Sequence, residues 1–271
     1  MAKKDPCTLT GDILEKAKKE LNEDPETRLI EVKNLSKRLD KVSGLKSRQD
    51  YPFLVKFLRA RKFEQERAFE LIKNYYEVRQ TQKDIFDDLK PSRVKHIIDA
   101  GVIEVLNGRD AEGAALVVIR PGRWDPDRYP IQDVPKTLFL VLNFLCEKED
   151  IQVHGVHIIN NMEGLTMKHA SHIGPSVAKT FAGVIQIRMN GSNFETLHAE
   201  INPEILPKDL GGQQELYSNK AWVEEFLASE QAFVDDNKYG YVNMDVKKEK
   251  KDKSENADMA GLGGTFKKLD I

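Results

Sequence analysis

Apolar residues recur at intervals of three and four along the first third of the chain. Ile13, Ala17 and Leu21 share one face of a segment over 11–22, with Thr10 placed to cap it and Asp12 at its positive end. Leu29, Val32, Leu35, Leu39 and Val42 form a second stripe, which Ser43 and Gly44 bring to an end. Phe53, Leu54, Phe57 and Leu58 form a third, opened by Asp50 as cap and Pro52 in the first turn. Ala68, Leu71, Ile72, Tyr75 and Val78 mark a longer helix over 64–82. The pattern predicts a small helical bundle over residues 11–90 with no strand in it.

The periodicity changes after Pro91. One more short helix, with Val94, Ile97 and Ile98, is expected to stop near Gly101. Residues 102–106 read as a strand, 107–110 as a turn and 114–119 as a second strand. A helix is expected over 133–149, capped by Asp133. Its centre, Leu138 to Leu142, is apolar all round, so it should be buried on most sides. Residues 155–160 read as a third strand, and 165–186 as a helix interrupted at Gly174 and Pro175. Residues 187–190 are a further strand candidate. Residues 203–212 are a loop, and Trp222, Phe226, Leu227 and Phe233 mark a last helix. Alternating strands and helices predict an α/β fold with some parallel pairing over residues 91–235. Residues 1–10 and the charged stretch 236–271 carry no periodicity and are expected to be flexible.

Composition narrows the function classes. A net charge of −2 in 271 residues argues against a nucleic-acid binder, whose domain should be strongly basic. The longest apolar run, residues 138–145, is too short to span a bilayer, and Met1 to Pro6 hold no signal-peptide core. A cytoplasmic monomer is expected, with Cys7 and Cys146 as free thiols. Enzyme signatures are missing. There is no phosphate-binding glycine loop at a strand–helix junction and no Gly-x-Ser-x-Gly elbow. His169 and His172 lie three apart on a helix, but no third ligand joins them at metal-site spacing. Asp125 and Asp127 flank Pro126 as turn residues do. No enzyme, cofactor or metal site is therefore expected.

Two features stand out instead. Lys56, Arg59, Arg61 and Lys62 place four cations beside the third apolar stripe, as a solvated face or a contact for an anionic surface. Leu138, Phe139 and Leu142, then Val156 and Ile158, then Ile173, Val177, Phe181, Val184 and Ile185 concentrate hydrocarbon in three consecutive elements. Such residues form a plain core or line an apolar ligand cavity, and periodicity does not separate the two.

The motif Phe57-Leu58-Arg59-Ala60-Arg61-Lys62-Phe63, with Asn74-Tyr75-Tyr76 after it, resembles the N-terminal signature of the CRAL-TRIO lipid-transfer family. The likeness continues through Arg123-Trp124-Asp125-Pro126, Met162-Glu163-Gly164-Leu165, Gly174-Pro175-Ser176-Val177 and residues 203–212, in order over about 10–230. It implies a helical N-terminal domain beside an α/β domain enclosing one small hydrophobic lipid, tocopherol- or retinoid-like. It also implies non-enzymatic transfer of that lipid between membranes, assisted by phosphoinositides. By position the lipid would touch Leu138, Leu142, Val156, Ile158, Ile173, Val177, Phe181, Val184 and Ile185, and Arg61 would meet the phosphoinositide head group. One member carries serines at the positions of Leu138 and Leu142, so a drier pocket is implied here.

The chain also departs from the family. Members carry a strand and a long amphipathic lid helix where this chain runs from Gln186 straight into Ile187. With that block go most of the cations that complete the head-group site. The junction reads as a shortened form of a longer protein, either still a lipid carrier or a lid-less membrane or partner adaptor.

Overall fold

A computed structural model describes residues 6–172 and 194–242. The helical half follows its apolar stripes. Helices α1 (Gly11–Leu21), α2 (Arg28–Leu39), α3 (Tyr51–Ala60) and α4 (Gln65–Thr81) pack together, and α5 (Lys83–Phe86) is a single turn. Asp50 does cap α3: its carboxylate accepts the Phe53 N–H at 3.2 Å. Thr10 sits at the N-cap of α1 but its hydroxyl makes no capping bond. The N-terminal segment is not loose throughout. Leu9 is buried, and Glu149 accepts from both the N–H and the hydroxyl of Thr8 at 2.6 Å.

The bundle is not purely helical. Strand β1 (Leu45–Lys46) pairs antiparallel with β5 (Gly240–Tyr241), Leu45 opposite Tyr241. That pairing corrects both the strand-free bundle and the start of the expected tail at 236. Two-residue strands have no periodicity to read, and only the return of residues 240–241 to β1 creates them. Residues 243–271 lie outside the described part.

After α6 (Lys95–Asp99) comes a hairpin of β2 (Ile103–Arg109) and β3 (Ala115–Ile119). The turn falls later than expected. Strand β2 runs on through Asn107 and Gly108 with a register irregularity, and Asp110 makes the turn by accepting the N–H groups of Glu112 and Ala114. Helix α7 (Asp133–Leu145) stops short of 149, and a separate helix α8 (Glu149–His154) precedes β4 (Val156–Asn160). Asp133 is the first residue of α7 rather than its cap, and its carboxylate meets His96 Nε2 at 2.8 Å. Strand β4 is parallel to β3, with Val156 opposite Ala115 and Ile158 opposite Val117. The α/β fold with one parallel pairing is as the alternation predicts.

Beyond β4 lie α9 (Met167–His172), α10 (Glu195–Glu200), α11 (Lys220–Ala228) and α12 (Glu230–Asp236). The expected interruption at Gly174 and Pro175 and the strand candidate at 187–190 fall outside the described residues.

Alternation along the strands splits the apolar interior in two. Ile103, Val105, Ala115, Val117, Ile119 and Val156 face α7 and the bundle. Leu106, Leu116, Val118 and Ile159 face the other way, toward Leu197, Ile201, Leu206 and Leu210. The first cluster is continuous with the bundle interior. Phe139 of α7 stacks on Tyr75 at 5.8 Å and meets Phe86 edge-on at 4.8 Å.

Candidate functional site

Four of the nine residues proposed to line a lipid are described, and they converge. Leu138 and Leu142, one turn apart on α7, are buried in the cluster between helix and sheet. Val156 and Ile158 project from the same face of β4 into that cluster, Val156 buried and Ile158 half-buried. The other five, Ile173, Val177, Phe181, Val184 and Ile185, lie outside the described residues, as does the junction at 186–187. A groove of about 420 Å³ lies elsewhere, between the N-terminal segment, α3 and α8, and none of the nine residues lines it.

Arg61 does not join this apolar wall. It stands at the C-cap of α3, half-buried, and its guanidinium donates to Ala60 O at 3.1 Å. The next two residues, Lys62 and Phe63, both adopt left-handed φ values of 50° and 61°. The corner is braced by Asn22, whose side-chain amide donates to Lys62 O at 3.4 Å.

The four-cation stretch divides in two. Lys56 and Arg59 are buried, Arg59 to 1% exposure, and both are consumed internally. Arg59 donates Nε and Nη2 to Glu23, both at 2.8 Å, and Nη1 to Gln152 at 2.7 Å and Glu149 at 3.2 Å. Arg28 adds a second cation to Glu23 at 2.6 Å, and Lys56 reaches Glu147 at 3.2 Å. Burial works against the Arg59 charge. Hydrogen bonding and attraction from Glu23, with Glu149 behind it, still hold the guanidinium above its ordinary value. Burial likewise pushes against the Glu149 carboxylate. The two bonds from Thr8 and the Arg59 charge outweigh it and hold the group below its ordinary 4.5.

A second buried charge cluster locks the loop after α10 to the sheet. Arg120, at the end of β3, donates to Glu104 of β2 at 2.7 Å and to Asp209 through Nε and Nη2. Asn161 also donates to Asp209, at 3.2 Å, and the Tyr217 ring covers Arg120. Burial is the largest influence on both partners. It raises Glu104 in spite of Arg120, while Asp209 and Glu104 hold Arg120 above its ordinary value against burial. Neither cluster was read from the sequence. The signal for the first lies in α3: five of residues 53–58 are apolar, which marks a helix buried all round, so cations inside it must be paired.

Acid–base or nucleophilic chemistry finds little here. Cys7 and Cys146 are free thiols, and burial pushes the Cys146 thiol up to about 11, which keeps it protonated and unreactive. Among the described residues no group of three His, Cys, Asp or Glu could hold a metal ion, and no helix is long and apolar enough to cross a membrane.

Similarity to known proteins bears on what this arrangement serves. The CRAL/TRIO N-terminal domain matches residues 13–74, and the CRAL/TRIO domain matches residues 99–190. Human alpha-tocopherol transfer protein-like is 34% identical over 266 residues, covering 84% of this chain and 78% of the relative. The chain belongs to the CRAL/TRIO family. The mouse counterpart of that relative matches to the same extent, and human clavesin-2 is 29% identical over 290 residues, covering 91% of this chain and 88% of its own. The coverage carries further information. Since 84% of 271 residues is about 228, an alignment of 266 positions leaves nearly 40 positions of the CRAL/TRIO relative with no counterpart here.

Proposed function

We propose that this CRAL/TRIO chain binds a small hydrophobic lipid, tocopherol- or retinoid-like, and carries it between membranes without covalent chemistry. The observation that carries the reading is the identity to alpha-tocopherol transfer protein-like across both CRAL/TRIO regions. The apolar wall of Leu138, Leu142, Val156 and Ile158 supports it, with Ile173, Val177, Phe181, Val184 and Ile185 completing the proposed lining. The driving force is burial. Each methylene moved from water into such a lining gains about 0.8 kcal/mol. The carrier is a cytoplasmic monomer that associates with membranes transiently, and Arg61 meets a phosphoinositide head group there. Exposed Met162 and Met167, at 56% and 85%, offer apolar contact to the same kind of surface. Native mass spectrometry of purified protein is expected to show a bound lipid or uptake of added tocopherol. An apo mass that stays unchanged with tocopherol and with retinoid overturns the reading.

A second reading rests on the nearly 40 positions without counterpart. If they form one block at Gln186–Ile187, the chain lacks the family's lid and acts as a membrane or partner adaptor. The adaptor binds phosphoinositide vesicles but moves no lipid between donor and acceptor vesicles. The carrier does both. Sequencing the transcript across 186–187 tests the shortened form, and one exon spanning the junction would contradict it.

A further inference from the structure

Charge is unevenly distributed along this chain. Residues 28–62 hold eleven Lys and Arg against three Asp and Glu, a net +8 in a protein whose total is −2. The fold pairs five of these eleven cations with carboxylates from outside the segment. Arg28 and Arg59 bind Glu23, Arg48 and Lys56 bind Glu147, and Arg38 binds Glu66. Of the other six, three gather along one helix face. Ile30, Lys33 and Lys37 on α2, and Lys41 in the turn that follows, recur every three or four residues and share one face. All four are exposed, while Val32, Leu35 and Leu39 on the opposite face are buried.

None of these three ammonium groups has a carboxylate partner among the described residues. Lysines on other elements do. Lys73 pairs with Glu70 and Lys95 with Asp99, each within one helical turn, and Lys238 pairs with Asp235. Successive lysines of the row lie about 6 Å apart along the axis at 1.5 Å of rise per residue, within the physiological screening length of about 8 Å, so each charge acts with its neighbour. Ile30, 56% exposed, adds an apolar side chain at one end of the row. A row of surface lysines with one exposed apolar member has the charge pattern that an anionic lipid surface attracts.

We propose that this face of α2 docks the protein on anionic bilayers through Lys33, Lys37 and Lys41, with Ile30 entering the head-group region. The contact needs bulk negative surface charge, such as phosphatidylserine supplies, and not a phosphoinositide. It is separate from Arg61. A flat anionic surface suits one charged face, whereas a nucleic acid calls for a strongly basic domain, which a chain of net −2 is not. The inference rests on the carrier reading, since a carrier must visit membranes.

The test is sedimentation of the full chain with phosphatidylcholine vesicles, with and without phosphatidylserine and with no phosphoinositide. Wild-type protein is expected to bind only the serine-containing vesicles, less tightly as salt rises. At about fivefold per lysine, the triple variant K33A/K37A/K41A should lose on the order of a hundredfold in affinity. The variant K73A/K95A/K238A changes net charge equally but removes paired lysines, and it should bind like wild type. Circular dichroism should show the same thermal melt for both variants. Three results overturn the proposal: wild type ignoring phosphatidylserine, the α2 variant binding like wild type, or the paired-lysine variant losing as much. Binding to soluble poly-glutamate but not to vesicles would assign the face to an acidic protein and also overturn it. Tocopherol uptake, measured in parallel by native mass spectrometry, keeps the two readings apart. Failed uptake with intact α2-dependent docking removes the carrier and leaves this contact standing.

Discussion

Helices α2 and α3 both mix apolar residues at helical spacing with Lys and Arg, yet the fold buries the cations within α3 and leaves the two lysines of α2 to water, although Arg28 at the start of α2 joins the buried Glu23 pair. In α3, Lys56 and Arg59 point inward and meet Glu147, Glu23 and Glu149. In α2, Lys33 and Lys37 point outward and meet no carboxylate among the described residues. The difference lies in what surrounds each helix. Helix α3 has neighbours on most sides, including α1, α2, α4 and α8, so its charges must be compensated by protein groups. Helix α2 lays one face on α3 and α4 and leaves the other to water, which solvates its lysines without help. A cation in a basic helix thus joins a buried ion pair or a surface row, and the composition of the helix does not say which.

Removing the Arg59 guanidinium tests this contrast most severely. Arg59→Ala leaves Glu23 and Glu149 facing each other's charge with a partner gone, and should cost about 3–5 kcal/mol by chemical denaturation. Lys37→Ala should stay within about 0.5 kcal/mol of wild type. Equal effects would erase the distinction between the helices. Apolar residues should follow the same division. Leu58→Ala, at a fully buried position of α3, should cost about 2–5 kcal/mol. Ile30→Ala on α2, which is mostly exposed, should shift the melting temperature little.

Acid should weaken the hub. The Glu149 carboxyl is held below its ordinary 4.5 in the folded protein. Its stabilisation is therefore complete above that unfolded value and is lost as pH falls through the lower folded one. Melting temperatures of wild type and Glu149→Gln should differ at neutral pH and converge in acid. A gap that persists below that range would mean that Glu149 acts through packing. Asp50→Ala removes the cap of α3 and should cost about 1 kcal/mol. Arg61→Ala should cost less than that in stability, while weakening binding to phosphoinositide vesicles.

Much of the fold was legible because it is local. The stripes of α1 to α4, the Asp50 cap and the strands at 103–106, 115–119 and 156–160 each follow from residues within one or two turns of each other. The inward pair Val156 and Ile158 was legible for the same reason, since alternation fixes a strand's two faces. The misses were non-local or too short. Helix α8 has six residues, too few to show a period, and residues 150–154 carried no expectation between the helix over 133–149 and the strand from 155. Strands β1 and β5 exist only because residues almost 200 positions apart meet.

The candidate site divides along the same line. From sequence alone came the family motifs, the concentration of apolar residues over 138–142 and 156–158, and the four cations of residues 56–62. Those are statements about which residue types follow one another, and chain order contains them. Only tertiary structure decided that Arg59 belongs to Glu23, 36 residues away, and to Gln152, 93 away, rather than to a membrane. It also decided that Lys33, Lys37 and Lys41 meet no carboxylate among the described residues. A charge is neutralised by whatever the fold brings within about 3 Å of it, and that neighbour is set by packing of distant segments, which no local pattern encodes.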